Sequence, residues 1–148
     1  MTRVRLVGKD DVDLRYELVS SETSREALAT YEFLPSPIEN AVELETPSLG
    51  AALALLNDLN WYTVMYTERV EVLEPSVSEE EWLSRDLARH IYEDRVSPDE
   101  TREFFAVRGV ADGEVLEPLY TRDEPGTYDL HDAEIDETIV TRITEDEF

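Results

Sequence analysis

The sequence predicts a single α+β domain over residues 1–148, with one mixed or antiparallel sheet and helices at about 47–60 and 79–95 packed on one face. Three observations carry this. The 148 residues have the size of one domain, and no repeat, Gly/Ser linker or low-complexity run divides them. The predicted elements run as strand-rich ends around a helix–strand–helix middle, without the regular alternation of a doubly wound α/β fold, which ranks second. Charge is uneven: residues 1–45 sum to −5, residues 46–67 to −1 and residues 68–148 to −17, so the middle stretch is the heart of the core.

Val4 to Val7 alternates and reads as a first strand, and Gly8-Lys9-Asp10-Asp11 as a turn. Leu14 to Val19 reads as a second strand, with a helix as the alternative. Ser21 is placed to cap a short helix in which Ala27, Leu28 and Tyr31 share a face. Pro35 and Pro37 impose an irregular segment before a short strand, Ala41 to Glu45. The next helix starts either at Thr46, with Pro47 in its first turn, or at Ser48. From Leu49 to Leu59 it is apolar nearly all round, the mark of a helix buried on most sides. Trp61 to Leu73 alternates and predicts one long, central strand.

Ser78 and Glu81 have the spacing of a capping box, and Val77 and Trp82 that of a hydrophobic staple, so a helix is expected from residue 79. Leu83, Leu87 and Ile91 would form its buried stripe, with Glu81–Arg85 and Arg89–Glu93 as exposed i,i+4 pairs. Ser97-Pro98-Asp99-Glu100 repeats the capping pattern and predicts a short helix to about Phe104. Phe105 to Val110 is then a strand, Asp112-Gly113 a hairpin turn, and Val115 to Tyr120 the returning strand. Glu137 to Ile143 is a last strand before a frayed acidic end at about 145–148.

Asp and Glu number 36 against 13 Lys and Arg, for a net charge of −23. Twelve of the cations are Arg and one, Lys9, is Lys. In dilute buffer such charge strains a small domain by self-repulsion. In molar salt the Debye length falls to about 3 Å and the strain largely disappears. An acidic, lysine-poor surface therefore predicts a salt-in halophile's protein, and solvation as the role of most of its carboxylates. Hydrophobic residues make up 41%, which is enough for a core and too many for the disordered class.

The chain has no Cys, which excludes disulfides, thiolate nucleophiles and cysteine-held metals. Met1 to Gly8 does not read as a signal peptide. Thr46 to Thr67 is interrupted by Asn57, Asp58 and Asn60, and its helical part is too short to cross a bilayer. A soluble cytoplasmic protein is expected.

Few residues point to chemistry. His90, beside the Leu87/Ile91 stripe and four residues after Asp86, reads as a boundary histidine before it reads as a general base. Asp129, His131 and Asp132 are the metal candidates, in a stretch so acidic that such clusters arise by chance. Asp10, Asp11 and Asp13 read as a solvated turn, with a magnesium site as the sharper alternative. Walker A, dinucleotide and G-x-S-x-G patterns are missing, so no cofactor is expected. Arg3 and Arg5 form the one small basic pair, too little for direct nucleic-acid binding. The Leu49–Leu59 helix is expected to be a core helix, or else a dimer or partner interface.

Val4-Arg5-Leu6-Val7-Gly8, Ser48-Leu49-Gly50-Ala51-Ala52, Asn57-Asp58-Leu59-Asn60-Trp61-Tyr62 and Glu81-Trp82-Leu83-Ser84-Arg85-Asp86-Leu87 together resemble a haloarchaeal family of uncharacterised proteins. The resemblance implies a halophilic cytoplasmic protein. It transfers no activity and no functional residue, because these motifs are packing and capping signals.

Three functions are weighed on this basis. A small non-catalytic binding or regulatory module, contacting a homodimer or protein partner through apolar surface, comes first. A metal-assisted hydrolase using Asp129, His131 and Asp132 follows. An acidic DNA mimic, suggested by the charge of residues 68–148, is third.

Overall fold

The computed structural model describes residues 1–122 and 135–148, which form one mixed sheet with helices packed alongside it. The strands are β1 (Thr2–Gly8), β2 (Ala41–Thr46), β3 (Thr67–Leu73), β4 (Trp82–Ser84), β5 (Phe105–Ala111), β6 (Glu114–Val115), β7 (Leu119–Thr121) and β8 (Glu137–Arg142). Their order is β2-β1-β3-β4-β8-β5-β6, with β7 also on β5. The β4–β8 pair is parallel and the other pairs are antiparallel. The helices are α1 (Leu14–Ser20), α2 (Glu22–Leu28), α3 (Leu49–Asp58), α4 (Asn60–Tyr66) and α5 (Arg85–Tyr92). The α+β architecture is the one the sequence predicts.

Val4 and Leu6 of β1, Val42 and Leu44 of β2, and Val70 and Val72 of β3 point to one face. That face is covered by Leu14 and Leu18, by Ala52 and Leu56, and by Leu87 and Ala88. Of the two proposed starts of α3, Ser48 is the cap: its Oγ accepts a hydrogen bond from the Ala51 N–H at 3.1 Å. Thr46 instead ends β2 and donates its hydroxyl to the Ser48 carbonyl. With Ala52, Leu53, Leu55 and Leu56 buried, α3 lies against β1, β2 and α5. It is the core helix, not an exposed interface.

Three elements depart from expectation. Leu14 to Val19 is helical: Leu14 and Leu18, four residues apart, are both buried, and Asp13 accepts from the Tyr16 N–H as the cap. The predicted long strand Trp61–Leu73 divides into α4 and β3. Leu59, Tyr62 and Thr63 are buried and Tyr66 half-buried, a period of 3.6, while Val64, which the alternating reading placed on the same face, is exposed. The third departure is the helix expected at 79–95. Ser78 accepts from the Glu80 and Glu81 N–H groups in a local turn, and Trp82–Ser84 then fills the gap between β3 and β8. Ser84 is the true cap, accepting from the Leu87 N–H at 3.2 Å. Asp94, at a φ of 58°, follows the end of the shortened helix. Glu81 pairs with Arg142 at 2.7 Å, and Arg89 with Asp86 at 3.3 Å.

The later elements follow the sequence more closely. Ser97 and Glu100 form a capping box around the 3-10 turn Pro98–Thr101. Asp112 and Gly113, at φ values of 52° and 81°, make the hairpin turn, and the returning strand is broken around Pro118 into β6 and β7. Glu145–Glu147 is a 3-10 turn capped by Thr144, whose Oγ1 accepts from the Glu147 N–H.

The sheet curls, so that the segment before β2 meets the β5–β6 hairpin. The Glu39 N–H donates to the Gly113 carbonyl at 2.8 Å, and Val7, Ile38, Trp82, Val110 and Ile139 form a second small core on this face. Asn40 anchors the curl, donating to the Lys9 and Val12 carbonyls and accepting from the Leu14 N–H. A Cβ on Gly8 would stand 2.5 Å from Asn40 Nδ2. Gly8→Ala should therefore cost about 1–3 kcal/mol, read as a lowered midpoint in thermal unfolding. An unchanged midpoint would show that Asn40 can give way.

Candidate functional site

The curled face of the sheet carries charge in its interior. On β1, Arg5 lies directly between Glu43 of β2 and Glu71 of β3 in the strand register. Its Nε donates to Glu43 at 2.9 Å, its Nη1 stands 3.8 Å from Glu71, and its guanidinium lies 4.0 Å over the Trp82 ring. Glu71 also accepts from Arg69 Nε at 2.5 Å and from the Thr141 hydroxyl at 3.1 Å. Arg3 pairs with Glu45 at 3.1 Å. The basic pair noted in the sequence is thus engaged by carboxylates.

Arg69, Glu71 and Thr141 of this network line a cleft of about 390 Å³, together with the α4–β3 junction, the start of α5, and residues of β5, β7 and β8. Three of the twelve arginines, Arg69, Arg85 and Arg108, stand on its walls. Arg85 reaches across to Asn57, Asn60 and Thr63 at 3.2–3.4 Å, fixing one rim. Arg69 spends its Nε on Glu71, and its buried Nη2 has no hydrogen-bond partner. Arg108 projects from the middle of β5, and its guanidinium makes no hydrogen bond or close ion pair with another described residue, feeling Glu71 and Glu68 only as nearby charges. Burial, reinforced by the neighbouring charge of Arg69, pulls the Arg108 guanidinium below its ordinary value. Burial does the same to Arg85. Among the described residues, the cleft therefore presents guanidinium N–H groups of Arg69 and Arg108 without acceptors.

Four carboxylates share the walls, and three of them are occupied. Glu71 is held by Arg69 and Thr141, Asp86 by Arg89, and Glu147 by the Ser84 hydroxyl at 2.6 Å. Glu68 is exposed. Sequence reasoning passed over Arg69 and Arg108. The available signal was a charge inside an otherwise apolar run, since Arg108 interrupts Phe105-Ala106-Val107 and Gly109-Val110.

The residues singled out in the sequence are dispersed. Asp129, His131 and Asp132 lie outside the described residues. Asp10 and Asp13 line a separate acidic hollow with Glu39 and Glu114, and Asp13 serves as the α1 cap. His90, half-buried, borders a third hollow with Glu100, Glu103 and Glu145, while its i−4 neighbour Asp86 pairs with Arg89. Among the described residues, no group of three His, Cys, Asp or Glu side chains is placed to hold a metal ion. No helix among them is long and apolar enough to cross a membrane.

A second surface stands out on α4. Trp61, Val64 and Met65, at i, i+3 and i+4, share its outer face and are 58%, 65% and 47% exposed. Trp61 also meets Tyr62 and Tyr66 edge-on, with ring centroids 5.1 and 5.8 Å apart.

No curated protein and no solved structure matches the chain. Residues 2–110 match the model of DUF5804, a family of unknown function. The match includes all four segments that carried the resemblance, and the strands, helices and buried network from β1 through β5. The chain belongs to the DUF5804 family of unknown function.

Proposed function

We infer that this chain is a small non-catalytic binding module of a high-salt cytoplasm, and that it meets its protein partner through the outer face of α4. The exposed Trp61–Val64–Met65 face carries the reading. Contiguous exposed apolar surface on a small domain marks an interaction site. Here it sits in the one long stretch nearly without charge, residues 46–67, in a chain of net charge −23. The salt-in halophilic character suggested by the acidic, lysine-poor composition supports the same setting. In molar salt long-range steering is screened, which leaves apolar surface and short-range hydrogen bonds to hold a contact.

The partner that this charge pattern fits is a second copy of the chain. Two such acidic molecules avoid setting carboxylate against carboxylate only where an uncharged face meets its own equivalent across a two-fold axis. Sedimentation in about 2 M KCl should show a dimer that Trp61→Ser with Val64→Ser converts to monomer without altering the circular dichroism. A wild-type chain that stays monomeric at every concentration overturns the reading. So does a dimer indifferent to both substitutions.

A further inference from the structure

We propose that the cleft between α4–β3 and the start of α5 binds the oxyanion group of a small molecule, a phosphate or carboxylate, on Arg69 and Arg108, with Arg85 and the Tyr120 hydroxyl at its rim. The chain offers 36 carboxylates to 13 Lys and Arg, so a guanidinium that lacks a carboxylate lacks it against long odds. Yet the Arg108 guanidinium makes no hydrogen bond or close ion pair among the described residues, with Glu71 and Glu68 near it only as charges, and the Nη2 of its neighbour Arg69 is buried without an acceptor. Buried donors left unpaired are costly, and two like charges held side by side add to that cost. An anion seated between them removes both penalties.

The geometry suits a polyatomic oxyanion better than the chloride of a salt-rich solvent. Two planar guanidinium forks offer several N–H groups in fixed directions, which oxygens on one phosphorus or carbon meet in pairs. A single spherical ion meets each fork at one point and leaves more of their N–H groups unpaired. The threonine hydroxyls of the walls are already committed. The Thr67 hydroxyl donates to the Thr63 carbonyl and that of Thr141 to Glu71, so the ligand's oxygens fall to the arginines. Glu71 reaches Arg108 only as a nearby charge, while its two oxygens accept from Arg69 and Thr141. Exposed Glu68 and the half-buried Arg85 on the walls favour a compact anion over a highly charged polymer.

The test is isothermal titration of the full chain with inorganic phosphate and with malonate, each in about 0.2 M and about 2 M KCl. The two probes separate a phosphate-selective from a carboxylate-selective site. Saturable binding at one site, with a dissociation constant below about 1 mM, is expected for one of them. Arg108→Gln should weaken it about ten- to a hundredfold. Because the Arg108 guanidinium makes no hydrogen bond or close ion pair among the described residues, the same substitution should leave the unfolding midpoint of the ligand-free chain unchanged or raise it, which a structural arginine would not do. Arg95→Gln, at an exposed arginine paired with Glu93, should leave binding intact. Absence of saturable binding by both probes at both salts overturns the proposal, as does equal binding by the wild type and Arg108→Gln.

Discussion

Circular dichroism and thermal unfolding across KCl should show little native signal at about 0.1 M and a cooperative fold approaching molar salt. Neighbouring carboxylates crowd Asp10-Asp11-Val12-Asp13, Glu79-Glu80-Glu81 and Glu145-Asp146-Glu147. Adjacent side chains of this kind lie within the Debye length of about 10 Å at 0.1 M and beyond the one of about 3 Å at 1 M, so their repulsion is removed within the range scanned. The buried network behaves differently. Arg5, Glu43 and Glu71 are each at most 4% exposed, and buried pairs are screened far less than surface ones. Added salt therefore lifts the surface penalty while leaving the interior ion pairs in place. A chain fully folded in dilute buffer, with a midpoint unmoved by KCl, would sink the solvent-adaptation account. Its carboxylates would then need a binding role.

The sequence made the architecture legible where one rule acted alone. Alternation marked β1, continuous apolarity marked α3 as buried, and Asp112-Gly113 marked the hairpin. It misled where two rules fitted the same residues. Tyr62, Val64 and Tyr66 alternate as a strand would, but Leu59, Tyr62, Thr63 and Tyr66 also repeat as a helix would, and packing onto the core chose the second period. Ser78-x-x-Glu81 has the letters of a capping box, yet the sheet needed Trp82–Ser84 as a strand between β3 and β8, which delayed the helix to Ser84. No local pattern foretells that demand, because β8 lies more than fifty residues further along the chain. The cleft was illegible for the same reason. Arg69 and Arg108 come from strands separated by β4 and β8 in the sheet, and only the curl brings their charges together.

Glu71→Gln should lower the unfolding midpoint by roughly 10 °C, corresponding to about 3–5 kcal/mol, even in molar salt where the surface is relaxed. Glu71 is 1% exposed and receives Arg69, Thr141 and the charge of Arg5. The amide keeps the volume but removes the charge, leaving Arg5 with Glu43 alone and Arg69 with no carboxylate. Breaking a buried pair by neutralising one member is expensive because the other charge stays buried. The network is not stabilising merely by being ionic, however. Replacing Arg69 and Glu71 together by Met and Leu removes both desolvation costs, so the double variant should recover much of the loss. The double-mutant cycle then separates the pair's coupling from the penalty of orphaning one charge. A Glu71→Gln variant within about 0.5 kcal/mol of wild type would mean that water reaches Arg5 and Arg69 despite their burial. A double variant as unstable as Glu71→Gln would place the loss in packing instead. If the double variant is stable but loses anion binding, Arg69 is retained for the cleft, at a stability cost that Glu71 limits by holding its Nε and leaving its Nη2 free.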